Sequence, residues 1–529
     1  MQRTPTSERK SASRSLWMAT ADPPVFAPLS ADAHARVCIV GAGIAGLTTA
    51  YRLARAGADV VVLEEGDLHD GQTARTTGHL SDALDDRYCR LEHLHGEQGA
   101  RLAAHSHGVA IDMIERTCID ERIVCGFARV DGYLVRGHDD ARTARLLDDE
   151  FAAARRAGIA VERVAAPPGA MAAFGDALRF PRQARFHALD YLGGLARAFV
   201  QLGGRLHTHT RVDAVDGGAN AGATCANGAR VQAEAVVVAT NVPFNDRIAI
   251  HAKQAAYRTY VIALRLDPGA VPDALLWDMC EPYHYVRIAH ARNGTWLVVG
   301  GEDRKTGQDD APAVRYEVLE SWARHHFPDA LDVGYRWSGQ VIEPIDGLAF
   351  LGHNPGFADN VYIATGDSGN GLTHGTIAGA LIADLIVDGD SPLRALYSPS
   401  RLNLRAADAF VRETLNFVPY YADWMSAGEI EGLGALPAGE GAVLRCGLQK
   451  VAAWRDDAGA LHLHSAMCPH LGCVVHWNGA ERSWDCPCHG SRFDAVDGHR
   501  LNGPAVHGLA PFQGPAREGQ AHAPPRARM

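Results

Sequence analysis

Four metal-binding side chains at fixed spacing constrain this chain more than any other feature in it. Cys468-Pro-His-Leu-Gly-Cys473 supplies a Cys-x-His pair, and after a spacer of fifteen residues Cys486-Pro-Cys-His-Gly-Ser491 supplies Cys-x-x-His. Such pairs draw two loops onto one metal centre. Thiolate is soft and charged while imidazole is neutral, and both favour tetrahedral iron or zinc. A structural zinc knuckle uses the same residue types, so spacing alone leaves both metals open.

Two further cysteines, Cys473 and Cys488, stand in the same loops, and Gly503-Pro504 follows them. With these additions the stretch from Glu431 to about Gln520 resembles the Rieske 2Fe-2S family. The resemblance implies a small all-β domain in which Cys468 and Cys486 hold one iron and His470 and His489 the other, with less negative charge than four thiolates carry. It also implies a Cys473–Cys488 disulfide tying the loops together and a Gly503-Pro504 turn closing over the cluster. In respiratory-type members a serine donates to a cluster sulfur, and a tyrosine two residues later donates to a ligating cysteine. Ser491 keeps the first donor and Phe493 lacks the second, which implies a lower potential than that of the two-donor form.

A chain of 529 residues exceeds one ordinary core and predicts two or three domains. Its net charge of -11, with no basic patch, argues against nucleic acid. No apolar run reaches transmembrane length, so no transmembrane segment is expected. Residues 1–35 are polar and then proline-rich, and read as a flexible arm without an export signal. Beyond the four loop cysteines, seven are scattered: Cys38, Cys89, Cys118, Cys125, Cys225, Cys280 and Cys446. Unpatterned thiols suit a reducing compartment, and the expected location is cytoplasmic.

A second strong signal opens the folded part. The apolar run Arg36–Val40 leads directly into Gly41-Ala-Gly43-Ile-Ala-Gly46, an alanine-rich helical stretch, and a second apolar run ending at Glu64. This is a βαβ dinucleotide fingerprint in its proper context. The pyrophosphate sits at the helix N-terminus, and Glu64 is placed to accept from a ribose diol, which disfavours a 2'-phosphate. FAD and NAD both satisfy it.

Three later stretches resemble the D-amino-acid oxidase family of flavoproteins, in particular its glycine and sarcosine oxidase branch. They are Gly71-Gln-Thr-Ala-Arg-Thr-Thr-Gly-His-Leu80, Ala235-Val-Val-Val-Ala-Thr240, and Val361-Tyr-Ile-Ala-Thr-Gly366 with the turn through Gly371 and a helix to about Asp388. The resemblance implies FAD, with contacts from Gly41, Gly43, Gly46, Glu64, Thr73, Arg75, Val212, Gly366 and Gly371. Ser15-Leu-Trp17, Pro282–Arg287 and Gly300–Gly307 extend the likeness to a bacterial group of fused FAD and Rieske proteins.

The expected architecture is an α/β FAD-binding domain, Rossmann-like and of the glutathione-reductase type, with an inserted α+β substrate domain, followed by the all-β Rieske domain. The expected boundaries are 1–35 for the arm, 36–415 for the oxidoreductase, 416–430 for a linker, 431–520 for the Rieske domain and 521–529 for a tail. Within 36–415 the FAD-binding parts are about 36–90, 200–245 and 340–400; the substrate parts are about 91–199 and 250–339. The aromatic stretch from Asn416 to Met425 either packs one domain on the other or covers a surface.

No motif identifies a catalytic residue. For a carboxylate-bearing amine the anchor is an arginine with a tyrosine, and Tyr285 with Arg287 stand at alternating strand positions that face one side. The plain alternative is an exposed strand arginine beside a packed tyrosine. His374 follows the glycine turn and is a candidate near the flavin. His93, His95, His105 and His107 are two apart within each pair, which does not share a helix face, and read as a solvated helix. His462 and His464 receive no ligand role.

A flavin handles two electrons and a Rieske cluster one. Together they predict a dehydrogenase for a small amine or amino acid, with FAD passing electrons through the cluster to an external one-electron carrier, a ferredoxin or cytochrome-like protein. The alternatives are a reductase running from a ferredoxin-like donor through the cluster to FAD, and a non-enzymatic redox sensor. A Rieske oxygenase is not expected, because the forty residues after His489 leave no room for the mononuclear iron domain that follows the cluster in such enzymes.

Overall fold

The computed structural model describes residues 13–138, 140–245, 250–309, 311–416 and 418–512. The described residues divide into two compact units, one within 13–303 and 314–410, the other within 304–313 and 411–512.

The larger unit holds two sheets. In the first, Val361–Thr365, Arg230–Val238, Ala33–Val40, Val60–Leu63 and Arg205–His207 run parallel in that order, with Phe350–His353 antiparallel at one edge. The second halves of Ala33–Val40 and Arg230–Val238 are buried at every position, as expected of strands covered on both faces. Two helices begin at one end of this sheet: Ile44–Arg55 after the first strand and Gly371–Val387 after Val361–Thr365. They cross so closely that a Cβ at Gly375 would lie 2.6 Å from Ile44 Cγ2. Small residues at the crossing thus bring the starts of the two helices together.

The second sheet is nine-stranded and mixed. Its strand His284–Ala291 carries Tyr285 and Arg287 and lies between Leu275–Trp277 and Gly294–Lys305. Gln254–Leu266 and Val333–Pro344 form its longest antiparallel pair.

The expected flexible arm over residues 1–35 is corrected for its described part. Ser15 caps a short helix, Leu16–Thr20, whose Leu16 and Trp17 are fully buried. Ser15 Oγ donates to the Ala74 carbonyl at 2.6 Å, so this turn pins the loop that contains Thr73 and Arg75. Average polarity over thirty residues concealed a five-residue apolar anchor. Residues 1–12 and the expected tail 521–529 lie outside the described residues.

The smaller unit contains two antiparallel sheets, one of three strands within 441–465 and one of four within 476–502. Val443, Trp454, Trp484, Phe493 and Leu509 fill its core beside Cys468 and Cys486. The expected linker 416–430 is corrected as well. Val418–Met425 forms a 3-10 helix within this unit, where Tyr421 Oη donates to the Leu471 carbonyl at 3.0 Å and Trp424 Nε1 to the Gly472 carbonyl at 2.9 Å. The aromatic stretch therefore braces the first Cys/His loop. Among the described residues no helix is long and apolar enough to cross a membrane.

Candidate functional site

The dinucleotide turn is built as its glycines require. Gly41 adopts φ +102°, and a Cβ there would stand 2.5 Å from the Ala239 carbonyl oxygen. A Cβ at Gly46 would stand 1.9 Å from the Gly41 carbonyl oxygen, so helix and strand are in backbone contact. Gly43 is the N-cap of Ile44–Arg55, and Thr73 Oγ1 accepts the Ile44 N–H at 3.1 Å. Glu64 accepts the Ala42 N–H at 2.6 Å and the Gly66 N–H at 3.2 Å, and burial raises its carboxyl above the ordinary range. Val212 begins the strand Val212–Asp216, just beyond the backbone bond from Thr210 N–H to the Glu64 carbonyl. Gly366 and Gly371 flank the second turn, and Gly371 opens the helix Gly371–Val387. Arg75 points elsewhere: its guanidinium donates to Ser13 Oγ at 3.0 Å and to the Ser338 carbonyl at 3.1 Å.

Next to the second turn lies a group that sequence reasoning missed. Asp85 keeps exposed surface, yet burial holds its carboxyl up at about 6, with Asp86 and Asp367 adding to the rise. Asp367, in the turn itself, is also held near 6 by burial. Glu343 is raised further, by burial and by Asp86 and Asp367. Ser368 Oγ is within hydrogen-bond reach of both carboxylates, donating towards Glu343 at 3.0 Å and towards Asp86. Tyr283 and Tyr285 face the same acids. Burial first, then Asp303 and Asp85, push both phenols well above their usual value. No periodicity or motif marks these acids; only the fold assembles them.

The expected catalytic residues separate. Tyr285 has its hydroxyl 2.7 Å from Thr259 Oγ1 and its ring against the edge of His79. The guanidinium expected to anchor a carboxylate is engaged by the protein through Nε and Nη1. Arg287 is 1% exposed, donates to the carbonyls of Gly78, of Phe186 at 3.1 Å and of Ile288 at 3.1 Å, and lies over the Trp17 ring at 5.2 Å. The exposed-arginine alternative does not describe it. His374 lies behind the turn: its Nδ1–H donates to the Asp367 carbonyl at 2.8 Å, leaving Nε2 to accept from His107 Nε2–H at 3.2 Å. Burial holds His374 down at about 4, so it stays neutral. The solvated-helix reading fails for His107, which is fully buried beside His374 and Thr373.

The smaller unit brings the expected metal ligands together in two pairs. The sulfurs of Cys468 and Cys486 are in hydrogen-bond contact, and the rings of His470 and His489 lie perpendicular with centroids 4.9 Å apart. Cys473 and Cys488 are bridged, with Cα atoms 6.5 Å apart. Ser491 hydrogen-bonds Cys468 and accepts the Ala505 N–H at 3.0 Å, just past the Gly503-Pro504 turn. A pair of thiols and a pair of imidazoles suit a mixed-ligand 2Fe-2S cluster, whereas a zinc knuckle has no use for the bridge. The second loop has further support. Arg492 Nε donates to Asp485 at 2.9 Å, and Gln308 Nε2 donates to the Pro487 carbonyl at 2.8 Å. Gln308 is far away in sequence and carries no signal of its own.

Two converging glycine-lined turns and a Cys2His2 centre define a flavin-dependent oxidoreductase with a Rieske centre. Residues 36–385 match the family described as FAD dependent oxidoreductase, to which the chain belongs, and residues 424–513 match the Rieske [2Fe-2S] domain. It is an enzyme that binds FAD and a 2Fe-2S cluster. It is 29% identical over 508 residues to a putative Rieske 2Fe-2S iron-sulfur protein, YhfW, of Bacillus subtilis, covering 94% of this chain and 97% of the relative. It is 25% identical to gamma-glutamylputrescine oxidoreductase of Escherichia coli over 68% of this chain and 85% of that protein. The fold matches glycine oxidase from Geobacillus kaustophilus with a TM-score of 0.58 at 20% identity, covering 70% of this chain and 99% of that one.

Proposed function

We propose that the enzyme is a dehydrogenase for a small cationic amine, whose electrons leave through the cluster to an external one-electron carrier of ferredoxin or cytochrome type. The observation that carries this reading is that one chain holds both an FAD fold and a complete Rieske ligand set with its bridge. When bound, the flavin supplies two-electron acceptance from the substrate and the cluster supplies one-electron transfer. Gly41, Gly43, Gly46, Glu64, Thr73, Val212, Gly366 and Gly371 are the proposed FAD contacts.

An amine, rather than an amino acid, is supported by charge. Nε and Nη1 of Arg287 are engaged by three carbonyls, while Asp85 and Asp303 lie close enough to Tyr283 and Tyr285 to raise both phenols. Ionised Asp85 attracts an ammonium group and is placed to take its proton. The raised phenols of Tyr283 and Tyr285 stay protonated and orient the substrate as donors. Arg287 and His374 are positioning residues in this reading. Seven unbridged cysteines outside the two loops support a cytoplasmic location, which is part of the proposal.

The test is a screen of primary and secondary amines against amino acids, with an artificial acceptor under nitrogen and with dioxygen alone in air. Turnover of amines with the artificial acceptor, and little with dioxygen, is expected. Faster turnover of amino acids, or of any substrate with dioxygen, rejects the proposal.

A further inference from the structure

Outside the two sites, one pair of thiols stands in contact. Cys118 lies in the last turn of the helix Tyr88–Asp120, Cys125 lies just beyond it, and their sulfurs are 3.5 Å apart. The intervening loop is folded back to bring them together. Ile123 N–H donates to the Cys118 carbonyl at 2.8 Å, and Arg122 adopts φ +52° to make the turn. The far end of the loop is tied to the next helix, because the His187 N–H donates to the Cys125 carbonyl at 2.7 Å immediately before Ala188–Gln201. Arg185 Nη1 donates to the Gly126 carbonyl at 2.9 Å. Residues between the two cysteines, Arg122 to Val124, form one wall of a cleft of about 320 Å³, with Leu189, Arg197 and Arg292 on other walls.

We propose that Cys118 and Cys125 are a redox-sensitive dithiol, converted by a peroxide into an intraloop disulfide that fixes this wall of the cleft. A disulfide places sulfurs about 2 Å apart, so the closure is roughly 1.5 Å, within the reach of side-chain rotation and a small loop shift. One thiolate attacks a peroxide oxygen, the O–O bond breaks, and water leaves behind a sulfenic acid. The second thiolate displaces its hydroxide, which departs as a second water. Two thiols thus lose two electrons and two protons, and the peroxide is reduced to two waters. A dithiol reductant reverses the step by exchange. Because the Cys125 carbonyl caps the following helix, oxidation links loop and helix start into one restrained segment.

Trypsin separates the two cysteines, cutting after Arg116, Arg122 and Arg129. The FAD- and cluster-loaded full-length protein is treated with a few equivalents of hydrogen peroxide, blocked with N-ethylmaleimide, digested and analysed by mass spectrometry. Cluster absorbance is followed to confirm that the protein stays loaded. The expected result is a disulfide-linked pair of peptides, 117–122 with 123–129, lost on dithiothreitol treatment and absent from Cys118→Ser and Cys125→Ser. Hydrogen exchange of amides 119–127 is expected to slow several-fold on oxidation. Overoxidised or separately alkylated peptides without the linked pair overturn the proposal, as does a linked pair that forms only in denaturant. Unchanged exchange despite the linked pair overturns the restraint of the loop.

Discussion

Replacing Arg287 with alanine distinguishes a structural guanidinium from a substrate anchor. Arg287 makes charge-assisted hydrogen bonds to three backbone carbonyls, each worth about 1.5–3 kcal/mol. Against this stands the cost of burying its charge. Burial, with Arg185 adding, lowers its value from 12.5 to about 9, which corresponds to roughly 5 kcal/mol. The hydrogen bonds therefore match or exceed the burial cost, by about 0–4 kcal/mol. Alanine also removes the packing over Trp17 and leaves a void beside a fully buried ring, at about 2–4 kcal/mol for a large-to-small change. A net loss of about 2–8 kcal/mol is expected, read as a lower urea midpoint by circular dichroism with the slope unchanged. Loaded Arg287→Ala that survives is expected to keep its ranking of amines over amino acids. A normal midpoint together with selective loss of affinity for carboxylate-bearing substrates refutes the structural reading.

Asp85→Asn is expected to lower kcat/KM for a cationic amine roughly 10- to 100-fold at pH 7, the equivalent of one hydrogen bond to a charged group. In the unmodified enzyme the carboxylate contribution to kcat/KM appears as pH rises through about 6, and this step vanishes in Asp85→Asn. The folded value lies above the unfolded 3.8, so ionised Asp85 costs stability that is absent below about pH 4 and fully felt above about pH 6. The same variant is therefore expected to raise the urea midpoint at pH 7. Phe493→Tyr supplies a second donor at the cluster; a hydrogen bond about 1–1.5 kcal/mol stronger to the reduced state raises the midpoint potential by roughly 40–65 mV in voltammetry. Gly46→Val places carbon inside the Gly41 carbonyl, so the protein is expected to purify without flavin while the cluster absorbance persists.

Features whose chemistry is local were legible before folding. Gly41, Gly43 and Gly46 act within six residues, and the cluster ligands within two short loops, so spacing carries their geometry. Long-range commitments were not. Arg287 is alternately spaced with Tyr285, as an anchor pair requires, but its partners Gly78, Phe186 and Trp17 come from three distant stretches. Asp85 and Glu343 are separated by most of the oxidoreductase sequence and meet only beside the second turn. His107 was read from its helix spacing, which says nothing about a helix buried against Gly371–Val387. Leu16 and Trp17 were diluted by polar neighbours on both sides.

The direction and exit of the electrons are tested most directly by an anaerobic titration of the loaded protein with an amine it oxidises, followed by electron paramagnetic resonance. The proposed function predicts that the reduced-cluster signal grows with added amine and is bleached by an external one-electron acceptor. A flavin that is reduced by substrate while the cluster stays oxidised contradicts it.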